Sequence, residues 1–252
     1  MIHILKTILI TIVLASTVNA KVDKSMINAV NQQKVLLQQI LKEYSFLGMG
    51  NNFKDSKGKL KRYLTAYTKS FTSLKGTFED SKSKEALENA QMIWNTIEKD
   101  FHNKPAKDKT LVLQKETDKI LQEMSILMNV LLSKDKESKH DIVSIAGYQG
   151  VIIERMAALY MMKTWGISDP KFNFKMKESI TFFNNSLHKM LNSSQTTKSN
   201  KKKIKAVMRS FKFFEMMNRS KSKFIPTLIY KKTTQIHQEI EKITQTYINE
   251  GK

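Results

Sequence analysis

Side chains able to do covalent chemistry are scarce in this 252-residue chain. It has no cysteine, and its five histidines (His3, His102, His140, His188 and His237) are scattered. There is therefore no thiol nucleophile, thiolate metal site or H-E-x-x-H pair. No Gly-rich phosphate loop or nucleophile elbow occurs, and Asp118 and Glu123 read as ordinary helix-surface acids. The expectation is a protein that is not an enzyme and holds no metal or cofactor. Non-covalent chemistry remains in two places. The first is a pair of long apolar stretches broken by polar groups. "INAVNQQKVLLQQILKEY" (27–44) carries Asn28, Asn31, Gln33, Lys34 and Gln38, and "VSIAGYQGVIIERMAALY" (143–160) carries Gln149, Glu154 and Arg155. The second stretch also holds Gly147 and Gly150, each costing a helix about 1 kcal/mol relative to Ala. The other place is a basic run: from Lys198 to Lys232, twelve Lys or Arg face one acid, Glu215, in a chain of net charge +20. Such a field attracts small anionic ligands, lipid head groups, cell-envelope polymers or nucleic acid, and it is equally the composition of a solvated basic face.

These groups must be positioned by helices. The first twenty residues, "MIHILKTILITIVLASTVNA", carry Lys6, an apolar run from Ile8 to Ala15 and a small-residue end at Val18-Asn19-Ala20. They read as a cleaved secretory signal rather than a span, with an uncleaved anchor as the alternative; the expected location is periplasmic or secreted. Beyond it, only three Pro and eight Gly interrupt a chain rich in Lys, Leu, Ile and Met, which favours helices. Apolar residues at a 3.6-residue period predict eight of them, near 25–46, 55–74, 81–101, 107–133, 140–165, 171–191, 201–217 and 223–249. Gly166 caps the fifth, and Asp169-Pro170 opens the next segment. Trp94, Trp165, Met161-Met162 and Met216-Met217 read as bundle packing.

Four helices followed by four invite a search for a repeat. A shift of 116 residues lays Gln33 on Gln149, Tyr44 on Tyr160, Leu60 on Met176 and Tyr67 on Phe183; a shift of 117 lays Trp94 on Phe211 and Ile97 on Phe214. The expected fold is all-α: two tandem antiparallel four-helix bundles (eight helices) after a signal peptide, with the leader at 1–20 and the copies at 21–135 and 136–252.

Both polar stretches resemble the signature of the PilJ-type family, the N-terminal sensor domain of type IV pilus methyl-accepting chemotaxis transducers, which reads roughly I-N-x-A-G-R-Q-R-M-L-S-Q-R-x-A-K-x-Y. The continuation "YMMKTWGISDP" (160–170) is similar to the family's Y-x-x-x-x-W-G-I. The family is related to the periplasmic sensor of nitrate/nitrite histidine kinases, in which an arginine from each protomer holds the anion at a dimer interface. The resemblance implies two tandem sensor-type copies able to meet within one chain as two protomers do. It implies a small, nitrate-like anion as ligand and a separate membrane-bound signal transducer or envelope component as partner. The chain departs from the pattern at the charged positions. The anion-binding arginine corresponds to Lys34 and Gly150, and only the third arginine persists in the second copy, as Arg155. Lysine lacks the forked donors of guanidinium.

The candidate ligand-binding set is therefore Asn28, Asn31, Gln33, Lys34, Gln38, Gln149, Glu154 and Arg155. Gln33 and Gln149 fit helix–helix packing equally well, and Glu154 and Arg155 fit a solvated surface. A second reading makes the chain a structural or interaction protein that docks through a basic face of Lys201, Lys202, Lys203, Lys205, Arg209 and Lys212. Nucleic acid is the least favoured partner, because an exported chain does not meet it.

Overall fold

The computed structural model describes residues 23–134, 139–219 and 225–249. The expected leader and the expected boundary at 135/136 lie outside the described residues. Among the described residues there are eight helices and no strand: α1 (Lys24–Gly48), α2 (Ser56–Lys75), α3 (Ser81–His102), α4 (Lys107–Lys134), α5 (Lys139–Thr164), α6 (Phe172–Asn192), α7 (Lys198–Arg219) and α8 (Pro226–Asn249). The chain is all-α, as its periodicity predicts. Asp23, Asp55 and Asp80 accept backbone N–H groups at the starts of α1, α2 and α3, satisfying donors the helix itself leaves unpaired. Gly166 ends α5 with φ +82°, and the Ile167 N–H donates back to the Met162 carbonyl at 3.1 Å, closing the last turn in the left-handed conformation that glycine permits.

The contacts divide into two similar sets. α1 packs on α2 and α4, and α3 on α4; α5 packs on α6 and α8, and α7 on α8. Their cores are built alike. Tyr67 and Trp94 have ring centroids 4.2 Å apart, and Phe183 and Phe211, their counterparts in the repeat, are 4.3 Å apart. Tyr44 accepts the Ala106 N–H through its hydroxyl at 3.2 Å, and Tyr160 accepts the Ile225 N–H at 3.3 Å. In both sets, the tyrosine near the end of the first helix ties down the residue just before the fourth.

The two sets meet along α1 and α5, the broadest helix–helix contact in the molecule. These helices run parallel: Asn31 Nδ2 donates to the Ser144 carbonyl (3.2 Å), Gln39 Nε2 donates to Glu154 (3.3 Å), and Gly48 lies against Trp165. The spatial register thus nearly equals the repeat offset, which makes the contact self-complementary about a pseudo-two-fold axis. A lysine from each second helix reaches across to the other set. Lys59 Nζ donates to the Tyr230 hydroxyl (2.8 Å) and Lys175 Nζ to Gln114 Oε1 (3.0 Å). Lys175 stands 116 positions after Lys59, and Tyr230 stands 116 after Gln114, so one contact is made twice.

Close approach of α1 and α5 needs small residues. A Cβ on Gly147 would stand 2.5 Å from Asn31 Nδ2, and one on Gly150 would stand 3.3 Å from Val35. α5 has the length and hydropathy of a membrane span, yet 78% of that window is buried within the protein. It is apolar nearly all round because it packs on both sets. Met161 and Met162 are core, as expected. Met216 is not: it lies on the outward face of α7 and is 59% exposed.

Removing either tyrosine hydroxyl leaves a helix-start N–H without its acceptor. Tyr44→Phe and Tyr160→Phe should each lower unfolding free energy by about 1 kcal/mol. The two bonds share no partner, so the losses should add in the double variant, as read by urea denaturation.

Candidate functional site

Between Ile40 and Phe46 every residue of α1 is buried, since α2, α4, α5 and α8 surround this part of the helix. That stretch contains Lys42 and Glu43, and both must find partners inside the protein. Lys42 Nζ donates to Glu154 Oε2 at 2.6 Å and lies 3.8 Å from Glu43 Oε1. His237 Nδ1, from α8, donates to Glu154 Oε1 at 2.6 Å, and Gln39 adds a further donor. Burial opposes the charge on Glu154, but Lys42 and His237 overcome it and hold the carboxyl at about 2. Burial likewise opposes the charge on Lys42, yet Glu154 and Glu43 raise its pKa above the ordinary lysine value. Burial pushes the Glu43 carboxyl up, against the opposing effects of Lys42 and of the hydrogen bond from Tyr230. The result is a closed ionic cluster joining α1, α5 and α8.

Arg155, one residue on, points elsewhere, as neighbours on a helix must. It pairs with Asp118 of α4 at 3.1 Å, and Lys175 of α6 reaches the same carboxylate at 3.2 Å. Asp118 is therefore a bridge between the two sets rather than an ordinary surface acid. Lys34 lies deepest without a counter-charge. It is 3% exposed, donates to the Ser125 hydroxyl (3.1 Å) and sits 5.3 Å from the centre of the Tyr148 ring. Among the described residues no acid pairs with it. Burial pushes its ammonium down from 10.5 to about 8.

The expected ligand set does not converge on one point. Asn31 and Glu154 lie in the α1/α5 seam. Gln33 turns into its own set, donating to the Tyr67 carbonyl (3.1 Å) and accepting from Ser70. Gln149 is fully buried, with its nearest acceptor in its own helix at 3.5 Å and its Oε1 unpartnered. Gln38 is buried with Nε2 unpartnered, and Asn28 is half-buried with Oδ1 unpartnered. The identical glutamines of the two copies thus do different work. The solvated reading of Glu154 is overturned, since it is 1% exposed. A groove of about 700 Å³ lies apart from this cluster, between α1 and α2, lined mainly by small and apolar side chains together with Gln32 and Lys69. On the expected docking face, Lys201, Lys202, Lys205, Arg209 and Lys212 are exposed, whereas Lys203 is half-buried beside Ile204. Lys42, Glu43, Tyr230 and His237 were not predicted. The available signal was that Lys42 continues a second stripe, Val35-Gln39-Lys42-Phe46, at helical spacing on α1.

The chain matches no protein-family model, no curated protein and no solved structure.

Removing one partner of a buried pair leaves an uncompensated charge. Lys42→Met should therefore cost about 3–5 kcal/mol, and Lys42→Met/Glu154→Leu should recover most of that loss. In the wild type the contribution of Glu154 is present above its unfolded value of 4.5 and is lost as pH falls toward about 2. Equilibrium unfolding across that window, compared with the double variant, measures it.

Lys34 has the opposite sign. The unfolded chain holds its proton up to 10.5 and the folded chain only to about 8, so the charge costs stability at neutral pH, and the cost is relieved as pH rises from 8 to 10.5. Lys34→Met should stabilise the protein at pH 7 by about 1–3 kcal/mol, with the gain fading across that interval. Urea titrations from pH 7 to 10.5 read the difference.

Proposed function

We propose that this chain is a non-enzymatic interaction protein built on a degenerate sensor scaffold of the PilJ type. The anion that the nitrate sensors hold between two protomers is supplied here by the chain's own Glu154. The observation that carries this reading is the Glu154 carboxylate, held at 2.6 Å by both Lys42 and His237 at the parallel contact of the two first helices. A resident carboxylate neutralises the cations a ligand would need and fixes the two sets in register. The working surface is then the outside of the second set, where the basic side chains of α7 are exposed and suit an acidic envelope surface or partner protein. An exported chain of this kind acts beside a separate membrane-bound component.

A second reading, a sensor for a small anion, is favoured by Lys34, a buried cation without an acid partner. Ligand-induced thermal stabilisation separates the two by mass action. Under the first reading, nitrate, nitrite and small carboxylates leave the wild-type melting temperature unchanged. Glu154→Ala, which empties the position between Lys42 and His237, melts lower and is partly rescued by nitrate or formate. A saturable rise in the wild type that is abolished by Lys34→Ala or Arg155→Ala would establish the sensor reading instead.

A further inference from the structure

Two features of the second set point the same way. Along α7, Lys198, Lys202, Lys205, Arg209 and Lys212 recur at intervals of three or four, Lys201 lies beside Lys202, and all six are exposed. They form one stripe about 21 Å long. Among the described residues no acid interrupts it: Glu215, the one acid of α7, is engaged by Asn184 Nδ2 at 2.9 Å. Met216 stands one turn beyond Lys212 on the same face and is 59% exposed. At that end of the set α7 finishes, and its antiparallel neighbours α6 and α8 begin. Phe174, near the start of α6, is 67% exposed, and Ile225, just before α8, is 42% exposed. The basic stripe therefore runs toward an end that presents large apolar side chains to solvent.

We propose that this surface docks on a lipid bilayer carrying anionic head groups, with the stripe of α7 over the charged surface and Phe174, Met216 and Ile225 entering the interfacial layer. The proposal rests on the interaction reading above and names its partner. A straight row of ammonium and guanidinium groups on a convex helix has no cradle for a single small anion, and it fits an extended array of phosphates. A soluble polyanion would reward the charges alone, whereas the exposed Phe, Met and Ile gain free energy only where an apolar phase lies beneath the charges.

The test is co-sedimentation of the full chain with vesicles of phosphatidylcholine alone and of equimolar phosphatidylcholine and phosphatidylglycerol. Two variants of equal net charge are compared: Lys201→Glu/Lys205→Glu/Arg209→Glu on α7, and Lys57→Glu/Lys61→Glu/Lys69→Glu on α2. All six positions are exposed, so the cores should stay intact, which circular dichroism of each variant checks. The wild type should bind only the anionic vesicles, more weakly as salt rises. The α7 variant should bind at least about 100-fold more weakly, the α2 variant much less so, and Phe174→Ser/Met216→Ser should weaken vesicle binding without changing retention on soluble polyphosphate. Equal losses in the α7 and α2 variants would reduce the effect to net charge and overturn the proposal. Retention of the wild type on polyphosphate or an acidic protein through α7, with no vesicle binding, would overturn the lipid partner but leave the interaction reading standing. No α7-dependent binding to any of the three would sink both.

Discussion

A carboxylate buried where two helix sets meet has to be neutralised where it stands, and much of the arrangement follows from how this is done for Glu154. Taking the ion out of water costs several kcal/mol, and the surroundings repay that only when donors reach both oxygens. Lys42 reaches one oxygen from α1 and His237 the other from α8. The requirement therefore spans three helices and both copies of the repeat. If α1 slid by one turn along α5, about 5.4 Å, Lys42 and Glu154 would part, leaving Lys42 only the more distant Glu43 and Glu154 only His237. Apolar stripes alone tolerate such slippage far better, because any large side chain packs acceptably against any other. The ionic cluster adds to register more surely than to net stability.

The pseudo-two-fold arrangement shows what the repeat preserved and what it spent. Contacts that build each set recur: the tyrosine hydroxyl on the start of the fourth helix, the ring pair between second and third helices, and the lysine bridging from second helix to opposite fourth helix. Contacts on the axis do not. Asn31 faces Gly147, its own counterpart, and the amide fills the space the glycine leaves. Lys34 has a side chain where Gly150 has none. In a symmetric dimer one residue at such a position must suit itself; in a tandem chain the two can diverge, one bulky and one small. That freedom allows Glu154 to be paired with Lys42 although the position equivalent to Lys42 in the second copy is Ala158.

Most of the fold could be read from the chain, and the reason is local. Helix starts at Asp residues, the stop at Gly166 and the 3.6-residue stripes depend on neighbours in sequence, and the repeat doubled each signal. The polar site was not legible in the same way. Lys42 and Glu43 sit in a run of buried residues, but a charged stripe looks the same in sequence whether it meets water or a counter-charge from another helix. The counter-charge for Lys42 lies 112 residues away and the histidine is a further 83 beyond it. Asp118 looked like a surface acid for the same reason, because its partners Arg155 and Lys175 belong to the other copy. Met216 failed in the opposite direction: an apolar residue at the end of a basic helix was assigned to the core, although the inward face of α7 was already supplied by Ile204, Val207, Phe211 and Phe214.

The distribution of charge ties these observations together. Inside, acids and bases are brought close to balance: Lys42 against Glu154 and Glu43, Arg155 and Lys175 against Asp118, with Lys34 as the exception that burial strains. Outside, the exposed lysines of α7 share their helix with a single acid, Glu215. An interior of this kind favours a fixed relation between the two sets, since opening the seam would separate paired ions in a medium of low polarity. A rigid body with an unbalanced basic flank is suited to carrying that flank to an acidic surface and poorly suited to reporting a ligand by changing shape. A signalling bundle needs helices that can shift by an ångström or two between alternative packings. Here the contact through which such a shift would pass is held by short charge-assisted hydrogen bonds from two directions, which are stronger than neutral ones and sensitive to displacement.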